Sequence, residues 1–159
     1  MVEKFNCEYL DEAFENEHSA EIQVPLLQWM NENEKLERNI IPVLVGRIDY
    51  QKITEIIDYY WQNPENAFVI SSDLSHFYKS NEAIKIDGRT AEMIESKQIE
   101  QFNSTQACGS TGVCALVNFA KEKGHSLIRV GMLNSGDITG DNSSVVGYGS
   151  WLLYEGEKN

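Results

Sequence analysis

The stretch IIPVLVGRIDYQKITEIIDYYWQNPENAFVI, residues 40–70, decides the fold class. It begins with one continuous apolar run, 40–45, and ends with another, 67–70, and such runs are typical of strands covered on both faces. Between them, apolar side chains recur at helical spacing from Tyr50 to Tyr60, and Asn63 and Pro64 form a stop signal. The pattern predicts a strand, a helix and a second strand. We therefore expect an α/β domain with three layers, αβα, and a mostly parallel central sheet.

The rest of the chain supplies further elements in the same way. Apolar spacing and turn residues predict a helix at 18–31, a polar loop at 77–86, a helix from Asp87 as N-cap to about Phe102, a helix from Gly109 to Gly124, and strands at 126–134 and 144–154. The glycine-rich, aspartate-rich segment between the two strands predicts a turn. Residues 1–16 show no clean period and are expected to form an exposed lead-in.

Length and charge exclude several classes of protein. The chain has 159 residues, which is the size of one domain, so 1–159 is expected to be a single domain. It carries 13 basic and 25 acidic residues and a net charge of −12, which argues against a nucleic-acid partner because phosphate binding needs a basic face. The sequence has no long apolar span and no signal-like N-terminus, which predicts a cytoplasmic protein that does not enter a membrane.

Two local clusters offer candidate chemistry. Asp73 and His76 follow the predicted strand at 67–70 and lie three residues apart, so the carboxylate can orient the imidazole as an acid/base group; the alternative is a cap and a surface histidine. Glu17, His18 and Glu21 form the second cluster, a metal or relay motif or else an exposed helix start.

Cys108 is the candidate reactive thiol. It stands next to Gly109, just before a predicted helix, where the positive end of the helix dipole favours the thiolate as nucleophile or metal ligand. Cys114 falls in an apolar stripe and is expected in the core, and Cys7 is expected to have no role. A cysteine hydrolase using Cys108, His76 and Asp73 is compatible with the residue types, although sequence distance does not show that they converge. The nucleotide loops and the HExxH motif are absent from the sequence.

Five blocks in order resemble one known family. They are EHSAEIQVPLLQ at 17–28, IIPVLVG at 40–46, FVISSDLSHF at 68–77, ACGSTGV at 107–113 and SGDITGDNSSVVGYGS at 135–150. Together they resemble the Memo family, also called AmmeMemoRadiSam system protein B, which is similar in fold to class III extradiol ring-cleaving dioxygenases.

The resemblance implies roles for individual residues. Asp73 and His76 match the family's Asp-x-x-His element, with His76 in the place of the dioxygenases' general acid/base histidine. Cys108 matches the pocket cysteine, a ligand for iron or copper. His18 matches a signature that implies pocket support, and Glu17 and Ser72 are assigned to pocket support with it. The family name implies a radical SAM protein and an AMMECR-type protein as partners.

The sequence also departs from the family pattern. The N-terminal elements that supply two further histidines have no counterpart, so we expect the C-terminal part of a Memo-like domain, truncated at its N-terminus, with an incomplete site and an uncovered apolar edge. An N-terminal half or a second copy would then complete it, with metal-dependent redox activity only in the completed protein. The alternatives are a shortened relative without the chemistry or a binding module that is not an enzyme.

Overall fold

The computed structural model describes residues 1–34 and 39–156. Backbone contacts divide the chain into two compact units, Met1–Arg47 and Ile48–Asn159. Each unit is described by itself. In the described part of the chain, every helix is too short or too polar to cross a bilayer.

The regular elements described in the first unit are all helices. It contains α1 (Val2–Phe5), a 3-10 turn at Asp11–Phe14, α2 (His18–Glu21) and α3 (Val24–Glu34). The single helix predicted for 18–31 is thus two helices, and Pro25 lies in the first turn of the second, where its missing N–H costs no helical hydrogen bond. The strand predicted at 40–45 is wrong. These residues belong to no strand, and Ile41 is 68% exposed. A buried strand needs neighbouring strands that accept and donate its backbone hydrogen bonds, and an apolar run does not supply them.

The second unit holds the sheet. Its elements are α4 (Tyr50–Trp61), β1 (His76–Tyr78), α5 (Ser80–Ser96), α6 (Ser110–Lys123), β2 (Ser126–Asn134), α7 (Ser135–Thr139) and β3 (Val145–Tyr154). The strands are ordered β1-β3-β2, with both pairs antiparallel. Helices α5 and α6 contact the sheet, and α4 contacts α6.

The coarse prediction of an α/β protein is confirmed, but a mostly parallel central sheet is not found among the described residues. The segment 67–70 has no strand partner there. Instead, it packs Phe68 and Ile70 against the cluster of α4 and α6 and leaves Val69 52% exposed. Strands β2 and β3 are joined by a short connection, which permits only antiparallel pairing. Half-exposed Ile128 and Leu152 face each other across that pair.

Helix α5 corrects the predicted boundaries. The helix begins at Ser80 instead of Asp87, so the loop predicted at 77–86 is largely helical, and it ends at Ser96 instead of Phe102. Its buried residues follow helical spacing: Ala83, Asp87, Thr90, Ala91 and Ile94. Asp87 therefore belongs to the buried stripe and does not cap the helix.

Elements with strong local signals agree with prediction. Helix α4 confirms the pattern from Tyr50 to Tyr60, and α6 ends at Gly124, which has the expected left-handed backbone, φ 71°. Strands β2 and β3 lie within one residue of their predicted bounds. The predicted turn between them holds the short helix α7, which a capping box of Asn134 and Asp137 stabilises.

Replacing Lys97 with glycine is expected to raise the free energy of unfolding by about 0.5 to 1 kcal/mol. Lys97 ends α5 with a left-handed backbone, φ 58°, while its N–H donates to the carbonyl groups of Ile94 and Met93. Glycine adopts this conformation without the Cβ penalty. Urea unfolding measures the gain, and the reverse change, Gly124→Ala at the end of α6, should cost a similar amount. A loss of stability on Lys97→Gly would contradict the expectation.

Candidate functional site

The structure brings Asp73, His76 and Cys108 together. One donor atom from each residue lies within 4.8 Å of the other two. The Oδ2 atom of Asp73 is 3.5 Å from Nε2 of His76, and the two side chains are 48% and 31% exposed. The cluster is therefore open to solvent on one side, and it joins an acid, an imidazole and a thiol.

Two backbone hydrogen bonds hold the Asp73 and His76 segment against β3. The N–H of Leu74 donates to the carbonyl of Gly147, and the N–H of Gly147 donates to the carbonyl of Ser75, each at 2.8 Å. Leu74, between the two site residues, is only 3% exposed and anchors the segment in the core. The site residues are thus fixed by a backbone segment that leads directly into β1.

A local irregularity follows His76. The pairing of β1 with β3 shifts between His76 and Tyr78, and Phe77 at that point has φ 65°. Its ring is 79% exposed and lies 5.6 Å from the His76 ring. Such bulges re-aim neighbouring side chains and are common beside functional sites.

Ser72 connects the two halves of the cluster. Its Oγ donates to the carbonyl of Asp73 at 2.8 Å and accepts from the N–H of Gly109 at 2.9 Å. The Sγ atom of Cys108 lies 3.7 Å from that Oγ and 3.9 Å from the Asp73 carbonyl oxygen. One hydroxyl therefore ties the segment before β1 to the start of α6.

Gly109 allows this close approach. A Cβ at this position would lie 2.9 Å from Cβ of Ser72 and 3.1 Å from the carbonyl oxygen of Ser71. Any side chain there would push Cys108 away from Asp73 and His76. The glycine that follows the cysteine is thus required by packing at this site.

Glu17 and His18 lie in the first unit. Glu17 caps α2 by accepting from the N–H of Ser19 at 2.8 Å. The side-chain and backbone hydrogen bonds from Ser19 lower the pKa of the Glu17 carboxyl. His18 pairs with Glu21 at 3.1 Å on the surface, with both side chains largely exposed. Pocket support by these two residues stays a prediction.

The other cysteines differ clearly from Cys108. Cys114 is buried in α6, as expected, and its burial raises the pKa of the thiol, which keeps it protonated and unreactive. Cys7 is partly exposed in the first unit. Cys108 is the exposed thiol that stands beside an imidazole and a carboxylate.

Sequence reasoning missed Asp87 as a residue of this region. Asp87 is 3% exposed, and its Oδ1 accepts from the N–H of Ser75 at 3.0 Å. The Ser75 hydroxyl is fully buried and is the one buried side-chain polar atom of the described residues that has no hydrogen-bond partner. The available signal was an acidic residue placed four positions after Ala83 and four before Ala91, on the apolar stripe of α5.

Comparison with known proteins places the chain in a family. The profile described as Memo-like protein matches residues 1–152. A MEMO1 family protein of Methanobrevibacter smithii is 34% identical over 154 residues, covering 89% of this chain and 53% of the relative. A MEMO1 family protein of Thermoplasma acidophilum is 30% identical over 147 residues, covering 88% of this chain and 54% of the relative.

A third relative, a MEMO1 family protein of Aquifex aeolicus, is 33% identical over 143 residues, or 83% of this chain and 52% of the relative. The chain spans about half the length of these relatives. The family profile covers both units, including Asp73, His76 and Cys108. The chain therefore belongs to the Memo-like protein family.

Proposed function

We propose that this chain supplies a metal-binding pocket for redox chemistry, with iron or copper as the metal. Cys108 is the metal ligand, and Asp73 with His76 forms the neighbouring proton-transfer pair. The observation that carries the proposal is the mutual approach of three donor atoms within 4.8 Å, although Asp73 and Cys108 are 35 residues apart in sequence. Helix α5 separates the two segments along the chain, so the approach is a product of the tertiary fold.

The donor set suits these metals. Thiolates favour copper(I), iron and zinc, and imidazole binds the same group of metals. At most three protein ligands from this cluster leave coordination positions open, as in metal sites that react. Iron or copper held here would supply electron transfer to or from a bound substrate.

The pair of Asp73 and His76 has its own chemical role. A carboxylate 3.5 Å from Nε2 fixes the orientation of the imidazole ring. The His76 side chain is 31% exposed, so it exchanges protons with solvent. We assign to it the transfer of a proton to or from a substrate that would be bound beside the metal. The spacing also lets the side chains of Asp73 and His76 contact the ion directly. The variant His76→Gln distinguishes the two roles: if His76 is a ligand, the protein loses metal affinity, and if His76 carries a proton, the affinity is unchanged.

A complete site takes further ligands from another polypeptide. This part of the proposal is supported by the length of the relatives, of which the chain spans about half. The N-terminal half of a Memo-like protein, supplied as a separate chain, is the proposed source, and a second copy is the alternative. Coexpression with the adjacent upstream open reading frame should therefore tighten metal binding.

Replacing Cys108 with serine is expected to weaken copper(I) binding by at least 100-fold, because the substitution removes the soft ligand. The measurement is an oxygen-free titration of the reduced protein with copper(I) against a chromogenic chelator, repeated with iron(II). Wild-type protein should take up one equivalent.

Cys7→Ser is the matched control, since it removes the other accessible thiol and should leave the affinity unchanged. Equal losses in the two variants would show nonspecific thiol binding and contradict the proposal. A wild-type protein that binds neither metal, alone or with its upstream partner, would favour a binding module that is not an enzyme.

A further inference from the structure

We propose that Asp87 is a positioning residue for the site, holding the backbone at Ser75 so that His76 faces Asp73 and Cys108. The inference rests on the proposed metal-binding function of that cluster. Asp87 touches none of the three donor groups in the hydrogen bonds and ion pairs of the described residues. It acts through the N–H of Ser75, which belongs to the Leu74–Ser75 peptide group, one residue before His76.

The burial of Asp87 is the first observation. Its carboxylate is 3% exposed in the middle of α5, on a stripe whose other members are small or apolar apart from Thr90. Removing a carboxylate from water is costly unless hydrogen bonds compensate. An apolar residue would pack at this position at a lower cost, so the hydrogen bond to Ser75 is what offsets the burial of the carboxylate.

That bond joins α5 to the site segment. The Oδ1 atom of Asp87 accepts from the N–H of Ser75 at 3.0 Å. A hydrogen bond from an amide to a carboxylate is stronger and more directional than one between neutral groups. The bond fixes the backbone of Ser75 on its N–H side, and Ser75 directly precedes His76, so the position of Ser75 sets where the His76 side chain starts.

Strand β3 also holds this segment, through backbone hydrogen bonds. The carbonyl of Ser75 accepts from the N–H of Gly147, and the N–H of Leu74 donates to the carbonyl of Gly147. A Cβ on Gly147 would overlap the Asp87 carboxylate, so the absence of a side chain there makes room for Asp87. Helix α5 and strand β3 thus both hold residues 74–75 by hydrogen bonds, and His76 follows these residues directly in the chain.

Three variants test this role. Asp87→Ala removes the acceptor, Asp87→Asn keeps an oxygen that accepts from Ser75, and Thr90→Val alters a fully buried residue of the same helix whose hydroxyl bonds to the carbonyl of Ile86. Two quantities are measured on the full chain: copper(I) affinity by chelator competition, and the hydrogen exchange rate of the Ser75 amide by NMR.

The expected result separates positioning from general stability. Asp87→Ala should change copper(I) affinity in the same direction as His76→Gln does, with a loss of about 10- to 100-fold if His76 ligates the metal, the usual loss when a supporting partner of a ligand is removed. It should also speed exchange at Ser75 by at least about tenfold more than Thr90→Val does, since the amide loses its acceptor. Asp87→Asn should stay within about threefold of wild type in both quantities.

Other outcomes overturn the inference. Equal effects of Asp87→Ala and Thr90→Val on copper(I) affinity and on exchange at Ser75 would show that Asp87 contributes only to packing. If Asp87→Ala does not fold, Asp87→Asn alone is the test. Unchanged copper(I) affinity together with slow exchange of the Ser75 amide supports the positioning role. A loss of copper(I) affinity while the Ser75 amide still exchanges slowly refutes it. A wild-type protein that binds no copper(I), alone or with its upstream partner, would refute the proposed function and this inference with it. In a protein that binds, unchanged affinity in Asp87→Ala beside a loss in His76→Gln would refute positioning only.

Discussion

Replacing Phe119 with alanine is expected to lower the free energy of unfolding by about 4 kcal/mol, because it opens a cavity in the core of the second unit. Phe119 is completely buried and forms one cluster with Ile57 and Ala115. Its ring centre lies 5.1 Å from that of Trp61 and 5.6 Å from that of His125. The substitution therefore removes aromatic contacts as well as buried area.

Urea unfolding followed by tryptophan fluorescence measures this loss, and the melting temperature should fall by about 10 °C. Phe77→Ala is the matched control, since it deletes the same atoms from a ring that is 79% exposed. That change should cost less than about 0.5 kcal/mol. Similar losses at Phe77 and Phe119 would show that Phe119 does not lie in the core that the structure describes.

Replacing Gly147 with alanine should cost about 3 kcal/mol or more, an unusually large effect for adding one methyl group. The new Cβ would overlap the Asp87 carboxylate and lie 2.7 Å from its Cγ. A shift of Asp87 away from the new methyl group would strain its hydrogen bond to the N–H of Ser75. The penalty thus combines overpacking with the loss of a buried, charged hydrogen bond.

A double-mutant cycle isolates this cause. In an Asp87→Ala background the carboxylate is gone, so Gly147→Ala should cost less than about 1 kcal/mol, and the coupling between the two sites should exceed roughly 2 kcal/mol. Gly131→Ala is the control, because nothing lies within 4 Å of a Cβ built on that strand residue. Additive effects of the two substitutions would exclude the proposed collision.

The elements that could be predicted from the sequence are those whose signals are local. Helices α4 and α6 show regular apolar spacing with clear ends, and β2 and β3 are long enough to be recognised without knowing their partners. The apolar runs at 40–45 and 67–70 were misread because composition indicates that a segment can be a strand, not that a partner strand is present. Where α5 begins was also missed, since Asp87 resembles a cap when its burial is unknown.

In the candidate site, too, only the local part could be predicted from the sequence. Asp73 and His76 are three residues apart, so their pairing followed from spacing, and the structure puts them 3.5 Å apart. Their approach to Cys108 depends on the path of the chain between residues 77 and 107, which no local pattern describes. The resemblance to the Memo family implied it, and the contacts of Ser72 and Gly109 explain it. Neither the spacing of residues nor the family resemblance identified the roles of Asp87 and Gly147, because each residue matters only through a tertiary contact.

The hydrogen bond between Ser72 and Gly109 closes a loop of 37 residues that contains the whole of α5. Closing a loop of this length has an entropic cost, which the packing of α5 on the sheet has to offset before the ends can stay together. The cluster should therefore assemble late in folding, after that helix has docked. A metal ion bound by both ends would act as a staple across the loop, so the rate of metal capture by refolding protein would report when α5 reaches its native place.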